Sequence, residues 1–337
     1  TGCMPDVLGL STQETVLPVV PMFHINAWCI PYAALVAGTK LVLPGPKLDG
    51  PSLYELMDAE QVTISAGVPT IWMGLIQHAE QNNLRFTSMR RTCVGGSAMP
   101  MALIAKFMDT YGVEVRHGWG MTETTAVATM SLLTRTDRQK PAAEQHAIVA
   151  KQGKTVSGIE IKVIDENGVT LPRDGTSQGE LMVRGQWIVE RYFKAEKTAL
   201  VDGWFPTGDI ATIEPGGIMQ IRDRTKDVIK TGGEWISSLA LESMTSLHPA
   251  VAEVAFIGVP DATWGERPMA LIVLRDRHRD SCSVEMIREH LQTFVAQGEI
   301  PKYAVPERLL FVDALEKTSV GKLDKKALRA RYASSAG

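Results

Sequence analysis

The sequence lacks several features that define particular classes of protein. Its 337 residues include only four cysteines, Cys3, Cys29, Cys93 and Cys282, and no two of them form a C-x-x-C pair. Scattered cysteines of this kind predict free thiols in a reducing, cytoplasmic compartment rather than a disulfide framework. The seven histidines show no ligand spacing, which argues against a structural zinc site. The longest nearly apolar run, residues 27–38, contains a proline and is too short to span a bilayer.

An excess of charge of one sign is missing as well. The 35 lysines and arginines nearly balance the 38 aspartates and glutamates, which gives a formal net charge of −3. This balance provides no electrostatic footprint for nucleic acid or an anionic membrane. A hydrophobic content of 45% with 22% charged residues excludes a disordered chain. The length is enough for about two domains with a substantial core.

The first 130 residues alternate strand-like and helix-like patterns. Buried strands are predicted over residues 16–20, 40–43, 62–67, 91–94 and 113–116, and helices over residues 52–60, 70–81 and 100–111. Alternation of this kind implies right-handed crossovers in a mainly parallel sheet. The sequence therefore predicts a doubly wound α/β domain.

The pattern changes after a polar stretch, residues 133–153, which we expect to be an irregular surface excursion. Short alternating strands over residues 159–164, 179–184 and 218–222 are separated by turn signals, which predicts a small antiparallel, barrel-like part. Residues 222–227 are polar and suggest a linker. Strands near residues 254–259 and 269–274 and a helix over residues 283–295 then predict a small α/β domain. We place the boundary between a 1–224 domain and a 225–337 domain.

One loop combines groups that suit a phosphate and its metal ion. Residues 116–124 follow a strand directly, and their glycines, Gly118 and Gly120, let the backbone approach a ligand closely. Thr122 offers a hydroxyl and Glu123 a carboxylate, the hard oxygen ligand that Mg²⁺ prefers. The alternative is an ordinary strand-to-helix turn in which Thr122 is only a cap.

A second glycine loop follows the preceding strand. Gly95-Gly96-Ser97 opens a predicted helix, and open α/β sheets bind ligands at the carboxyl ends of their strands. A Gly-Gly pair alone is weak evidence, because tight turns need glycine for their own reasons. Two such loops on neighbouring strands are stronger evidence for a ligand site than either loop alone.

The second half of the sequence holds further candidates. Asp209 could accept hydrogen bonds from both hydroxyls of a ribose, although it could also be a turn aspartate. Residues 226–235 place two lysines and a Gly-Gly hairpin beside a tryptophan. Lys322 follows a glycine in a loop of small residues and could reach into a cleft, whereas the later pair Lys325-Lys326 is predicted to be solvated surface.

Taken in order, these segments resemble the adenylate-forming superfamily of acyl-CoA synthetases, luciferases and peptide-synthetase adenylation domains. The segments that carry the resemblance are Gly-Met-Thr-Glu at 120–123, Thr-Gly-Asp at 207–209, Asp-Arg-x-Lys-Asp at 223–227 and Lys-Thr-Ser-Val-Gly-Lys at 317–322. Residues 21–28 and 232–238 resemble the fatty-acyl-CoA synthetase branch, which also holds relatives acting on methylthiopropionate. The resemblance covers essentially the whole chain.

The resemblance implies a two-step reaction with ATP and coenzyme A as co-substrates and Mg²⁺ as cofactor. A carboxylate attacks the α-phosphate to give an acyl-adenylate and diphosphate; after the small domain rotates, the thiol of coenzyme A displaces AMP. The leading expectation is a ligase for medium- or long-chain fatty acids. A ligase for 3-methylthiopropionate or another short acid is the alternative, and a non-catalytic nucleotide-binding remnant is the second alternative.

The resemblance also assigns roles to residues. Glu123 would hold Mg²⁺ and Thr122 would contact phosphate. The adenine pocket would be lined by Gly96, His117, Gly118 and Trp119. Asp209 and Arg224 would fix the ribose, and Lys226 matches the hinge position. The nucleotide and pantetheine path would be lined by Lys230, Gly232, Gly233 and Trp235. Ile25 and Trp28 would lie beside the acyl chain, and Lys322 would bridge the carboxylate and phosphate oxygens.

One departure from the superfamily concerns the phosphate loop. The Thr/Ser/Gly-rich loop that the superfamily carries upstream of the Phe-His segment is not in this sequence, so we interpret the chain as partial and expect it to be inactive alone. Residues 1–224 would then be the C-terminal part of the large adenylation domain, and residues 225–337 the mobile C-terminal domain. Some relatives pair through their N-terminal region, so the full-length protein could be a homodimer.

Overall fold

Strands and helices alternate through the first part of the chain. The computed structural model describes residues 2–318 and 323–333. Its first elements are β1 (Thr15–Val19), α1 (Ile25–Trp28), α2 (Ile30–Ala37), β2 (Lys40–Leu41), α3 (Gly50–Ala59), β3 (Ile64–Gly67), α4 (Pro69–Gln81), β4 (Arg91–Val94), α5 (Met101–Ala105) and β5 (Glu114–Trp119). A π-helical turn, Lys106–Thr110, continues α5. Local chemistry fixes the helix starts: in α3, the Asp49 carboxylate accepts a hydrogen bond from the backbone N–H of Ser52 at 2.9 Å.

These strands form most of a seven-stranded sheet. Its order is β2-β1-β3-β4-β5, followed by β6 (Thr129–Met130) and β7 (Lys154–Thr155). The first five strands are mutually parallel, and β6 and β7 pair antiparallel at one side. Trp72 and Phe107, both fully buried, belong to the core beside the sheet. Because the strands are parallel, the loops that follow β1, β4 and β5 leave from the same edge.

The expectation of an irregular excursion over residues 133–153 is wrong in part. The structure contains α6 (Ala142–Val149) there, with His146 and Val149 buried. The helix has no apolar stripe in its sequence that would announce it. A long-range contact helps to hold it, because His146 Nε2 lies 3.0 Å from Asp109 Oδ1.

The antiparallel part is a four-stranded sheet. It contains β8 (Ile159–Ile164), β9 (Gly179–Gly185), β10 (Phe205–Ile213) and β11 (Met219–Arg224), in the order β11-β10-β9-β8. Strands β8 and β9 pair antiparallel, as their alternating residues predict. Because β11 extends through Arg224, residues 222–224 are part of a strand and the linker predicted over 222–227 is wrong there.

The chain divides into two compact units. The first unit is Thr1–Thr207 with Ala211–Ile221, and the second unit is Gly208–Ile210 with Arg222–Gly337. The domain boundary expected between residues 224 and 225 stays a prediction. All four cysteines are free thiols. Burial raises the pKa of the Cys93 thiol to about 12.

The second unit is a small α/β fold. Its elements are β12 (Ile229–Thr231), β13 (Glu234–Ile236), α7 (Ser238–Ser246), β14 (Val251–Asp261), β15 (Gly265–Leu274), α8 (Val284–Ala296), β16 (Arg308–Phe311) and α9 (Lys325–Tyr332). The sheet order is β13-β12-β15-β14, and β16 pairs parallel with β15. The α/β fold class is confirmed. Among the residues described, no helix is both long and apolar enough to cross a membrane.

Candidate functional site

Three loops meet at the carboxyl edge of the parallel sheet, as the sequence predicts for its two glycine loops. A Cβ placed on Gly95 would lie 3.3 Å from Cη2 of Trp28 and 3.5 Å from the carbonyl oxygen of Gly118. Trp28 follows β1, Gly95 follows β4 and Gly118 lies near the end of β5. The half-buried Trp28 ring therefore packs beside Gly95, where the absence of a side chain leaves room for it.

The segment that carries Ile25 and Trp28 has an unusual backbone. Five consecutive residues, Ile25–Cys29, have φ between 42° and 58°, so the turn is left-handed. Left-handed helical backbone costs roughly 1–2 kcal/mol per residue for L-amino acids. Strained backbone of this kind is concentrated at ligand sites. The turn places Ile25 and Trp28 at the carboxyl edge, and their predicted contact with an acyl chain stays a prediction.

His117 is a buried side chain of β5 whose two ring nitrogens contact two different loops at this edge. Its Nδ1 lies 3.0 Å from the carbonyl oxygen of Ala150, and its Nε2 lies 3.3 Å from that of Ser97. Burial lowers the pKa of His117, which keeps the ring neutral near pH 7. A neutral imidazole has one N–H and can donate to only one of these oxygens at a time. Gly96, with a φ of 80°, is exposed in the loop that His117 holds.

The loop after β5 turns sharply at Gly120. A Cβ at this position would lie 1.9 Å from the carbonyl oxygen of Ala126, so only glycine fits. The half-buried Trp119 precedes the turn. The hydroxyl of Thr124 accepts a hydrogen bond from the backbone N–H of Met121 at 2.9 Å. The residue at the N-cap of this short turn is therefore Met121, and the alternative reading of Thr122 as the cap is wrong; Thr122 is exposed.

Glu123 has a partner that the sequence analysis missed. The hydroxyl of Tyr192 donates a hydrogen bond to Oε1 of Glu123 at 2.8 Å. The backbone N–H of Val189 also donates to the carbonyl oxygen of Glu123, at 2.9 Å. No local pattern announces this contact, because the two side chains are 69 residues apart in sequence.

The residues around Glu123 fit a magnesium ion that is shared with phosphate. Within residues 2–318 and 323–333, no group of three or more histidines, cysteines, aspartates or glutamates could hold a metal by itself. Mg²⁺ characteristically takes one or two carboxylates and completes its shell with substrate phosphates and water. A single half-buried carboxylate, already oriented by a hydrogen bond, matches that requirement.

Asp209 and Arg224 lie close together in the second unit. Arg224 Nε is 3.5 Å from Oδ1 of Asp209. Asp209 is buried, whereas the Arg224 side chain is about half exposed at 52%. The arginine can therefore hold the carboxylate in place while its own remaining N–H groups stay accessible to solvent. Their expected contact with a ribose stays a prediction.

The predicted Gly-Gly hairpin is present. Gly232 and Gly233, with φ of 59° and 86°, join β12 to β13 in the backbone conformation that favours glycine. Lys230 and Trp235 face each other across the two strands, with Lys230 Nζ 5.3 Å from the centre of the Trp235 ring. Lys226 is exposed in the preceding turn. The functional roles of these residues remain predictions.

Of the two lysine predictions near the C-terminus, one cannot be compared with the structure and one is wrong. Lys322 lies outside the described residues. Lys325, expected to be solvated surface, is buried: its Nζ lies 2.7 Å from Oε1 of Glu242 and donates to Oγ of Ser238 at 2.6 Å. Only its neighbour Lys326 is exposed. The prediction failed because a two-residue charge run carries no information about which lysine begins a packed helix.

A buried network extends from Lys325. Ser238 donates to Oδ2 of Asp223 through its hydroxyl at 2.7 Å and through its backbone N–H at 2.5 Å. Glu242 accepts from the backbone N–H of Phe256 at 2.8 Å. Burial raises the pKa of both Asp223 and Glu242, and the charge of Lys325 partly offsets that rise.

The fold and the loops together define an α/β protein with a candidate phosphate-binding edge on a mainly parallel sheet, followed by a smaller α/β unit. The chain belongs to the AMP-binding enzyme family. The model of the AMP-binding enzyme matches residues 1–193, and the model of the AMP-binding enzyme C-terminal domain matches residues 240–322. The predicted resemblance to adenylate-forming proteins is confirmed.

Individual relatives cover nearly the whole chain. It is 45% identical to a 3-methylmercaptopropionyl-CoA ligase of Ruegeria lacuscaerulensis over 328 residues, 97% of this chain and 60% of the relative. It is 42% identical to a medium-chain-fatty-acid–CoA ligase of Ectopseudomonas oleovorans over 333 residues, 98% of this chain and 60% of the relative. The ATP-bound structure of MatB from Rhodopseudomonas palustris matches with a TM-score of 0.82 and 26% identity, covering 98% of this chain and 62% of that one. The chain thus spans about 60% of the length of these curated relatives.

Proposed function

We propose that the protein carrying this chain is a cytoplasmic, AMP-forming acid–CoA ligase. It would convert a carboxylate, ATP and coenzyme A into acyl-CoA, AMP and diphosphate through an acyl-adenylate. The observation that supports this most directly is the pair of glycine loops at the carboxyl edge, one of which carries Thr122 and Glu123, in a chain of the AMP-binding family.

The reaction requires two anions to meet, the substrate carboxylate and the α-phosphate. Mg²⁺, held by Glu123 when bound, would withdraw charge from the phosphate oxygens. Thr122 would donate its exposed hydroxyl to phosphate, and Lys322 would place a cation between carboxylate and phosphate. An organised cation in a site that excludes water can lower the activation free energy by several times about 1.4 kcal/mol, and each such step changes the rate tenfold.

The remaining nucleotide contacts would use groups that the fold leaves accessible. Gly96, Gly118 and Trp119 would line the adenine, with the Trp119 ring available for stacking. His117 would act by holding the Ser97 loop that forms one wall. Asp209 would accept from the ribose hydroxyls while Arg224 helps to orient its carboxylate. Lys226 would be the hinge residue.

We propose a medium- or long-chain fatty acid as the substrate, with Ile25 and Trp28 beside its chain. The nucleotide and pantetheine path would pass Lys230, Gly232, Gly233 and Trp235. A short acid such as 3-methylthiopropionate is the second candidate. It is favoured by the Trp28 ring, which packs against the Gly95 backbone and would limit the depth of a pocket on that side. A long chain would require Trp28 to move.

The test is an assay of AMP and thioester release with coenzyme A, Mg-ATP and a panel of acids from four to sixteen carbons together with 3-methylthiopropionate. The protein that carries this chain is compared with its Glu123→Gln variant. Acid-dependent AMP release that the variant loses supports the ligase, and the preferred acid decides between the two substrate classes. Nucleotide binding without AMP release for any acid would instead support a non-catalytic remnant.

A further inference from the structure

Tyr192 is an aromatic residue whose hydroxyl is committed to one atom at the candidate site. Its phenol donates to Oε1 of Glu123 at 2.8 Å, whereas half of its surface remains exposed. A hydrogen bond to an ionised carboxylate is stronger than one between neutral groups.

The contact belongs to a wider connection between two loops. The backbone N–H of Val189 donates to the carbonyl oxygen of Glu123 at 2.9 Å, and the hydroxyl of Thr125 donates to the carbonyl oxygen of Trp187 at 3.0 Å. The Tyr192 segment is itself folded back, because Ala195 donates its N–H to the carbonyl oxygen of Tyr192 at 3.0 Å. Together with the bond from Tyr192 to Glu123, the bonds made by Val189 and Thr125 give three hydrogen bonds that connect residues 187–192 to the turn that carries Glu123.

We infer that Tyr192 is a positioning residue for Glu123: by occupying Oε1 it orients the carboxylate so that Oε2 can take the magnesium ion of Mg-ATP. This inference rests on the proposed role of Glu123 in nucleotide activation. Carboxylates that bind metals are typically held by an outer hydrogen bond, and losing that bond weakens the metal rather than the fold. Tyr192 supplies such a bond from a loop that contains none of the residues predicted for the site.

The test measures how much Mg²⁺ tightens the binding of α,β-methylene-ATP, which cannot be cleaved at the reacting bond. Calorimetric titrations with saturating Mg²⁺ and with chelator give this metal-dependent gain for the protein that carries the chain. The Tyr192→Phe variant keeps the ring and removes only the hydroxyl. The increase in nucleotide affinity caused by Mg²⁺ should be smaller in this variant by about threefold or more, and the affinity without metal should be unchanged.

Two further variants make the result interpretable. Tyr54→Phe is the matched control, because its hydroxyl donates to the carbonyl oxygen of Arg85 at 2.7 Å elsewhere in the first unit; its gain should be unchanged. Glu123→Gln should lose most of the gain. If Glu123→Gln loses the gain and Tyr192→Phe changes it by less than threefold, the role of Tyr192 is wrong and the proposed function stands. If Glu123→Gln keeps the full gain, the proposed metal role of Glu123 fails and the inference with it.

Discussion

The two units hold their candidate residues by different means. In the first unit, backbone geometry does most of the positioning: a left-handed turn carries Trp28, and a glycine without room for a Cβ shapes the loop of Glu123. In the second unit, charged side chains do the positioning. Lys325 contacts Glu242 and Ser238, and Ser238 donates to Asp223, the residue immediately before Arg224.

This difference separates charged side chains that are paired inside the fold from charged side chains that stay exposed to solvent. Asp223 and Lys325 are buried and Glu242 is largely buried, and the three are connected by hydrogen bonds and an ion pair, whereas Lys226 and Lys230 are exposed. A charged residue that is buried with its partners has little left to offer a substrate. The two classes of charge should therefore respond differently to substitution, one through activity and the other through stability.

The largest expected effect concerns the predicted adenylation lysine. Lys322→Ala in the protein that carries this chain should slow acyl-adenylate formation by about a hundredfold or more, because it removes the cation between two anions. Thioester formation from supplied acyl-adenylate should be largely spared. Single-turnover assays of each half-reaction measure the two rates. Equal damage to both steps would contradict the assigned role.

The neighbouring lysine should show the opposite behaviour. Lys325→Met leaves the buried carboxylates of Glu242 and Asp223 without their cation and should lower the free energy of unfolding by about 3 kcal/mol. Lys326→Met, at the exposed position next to it, should change that free energy by less than about 0.5 kcal/mol. Urea denaturation near neutral pH compares them. Equal stability of the two variants would mean that the buried network contributes nothing to the free energy of unfolding.

A smaller effect is expected in the dependence of stability on pH. Burial raises the pKa of Glu242 above its ordinary value, with Lys325 and Asp223 as the charged groups that face it. The folded state therefore binds more protons than the unfolded state between the two pKa values, and this contribution to stability is lost as pH rises through the folded pKa.

Glu242→Gln removes this titration, so the difference in unfolding free energy between the unmodified protein and Glu242→Gln should decrease as pH rises. Comparing the two proteins is necessary because other carboxyls, such as Asp137, have lowered pKa values and act in the opposite direction. Denaturation series at matched pH values give the difference. A difference that grows with pH would show that burial is not the dominant influence on Glu242.

The regular elements could be predicted because they carry local patterns. The alternating strands over residues 159–164 and the buried strand over residues 91–94 appear with those bounds, and the Gly-Gly hairpin follows from the conformational freedom of its glycines. The carboxyl-edge arrangement followed from the parallel order of the strands. The strands and the hairpin depend on residues that are near one another in sequence.

The missed features depend on distant partners. Tyr192 meets Glu123 across 69 residues, and Lys325 meets Ser238 across 87. No periodicity records such pairs, so sequence reasoning identified Glu123 without its partner and placed Lys325 at the surface. The left-handed turn escaped for another reason: residues 25–29 include no glycine to announce a positive φ.

The smallest expected effect tests the backbone side of the comparison at that turn. Asn26 is exposed with φ of 51°, a conformation that asparagine tolerates better than a β-branched residue does. Asn26→Val should therefore lower the free energy of unfolding by about 1 kcal/mol, whereas Asn26→Gly should leave it equal or slightly higher. Asn167→Val, at an exposed asparagine outside the left-handed region, controls for the change in side chain. If valine changes the free energy of unfolding equally at both positions, the turn is not strained. Backbone geometry would then not distinguish the first unit from the second.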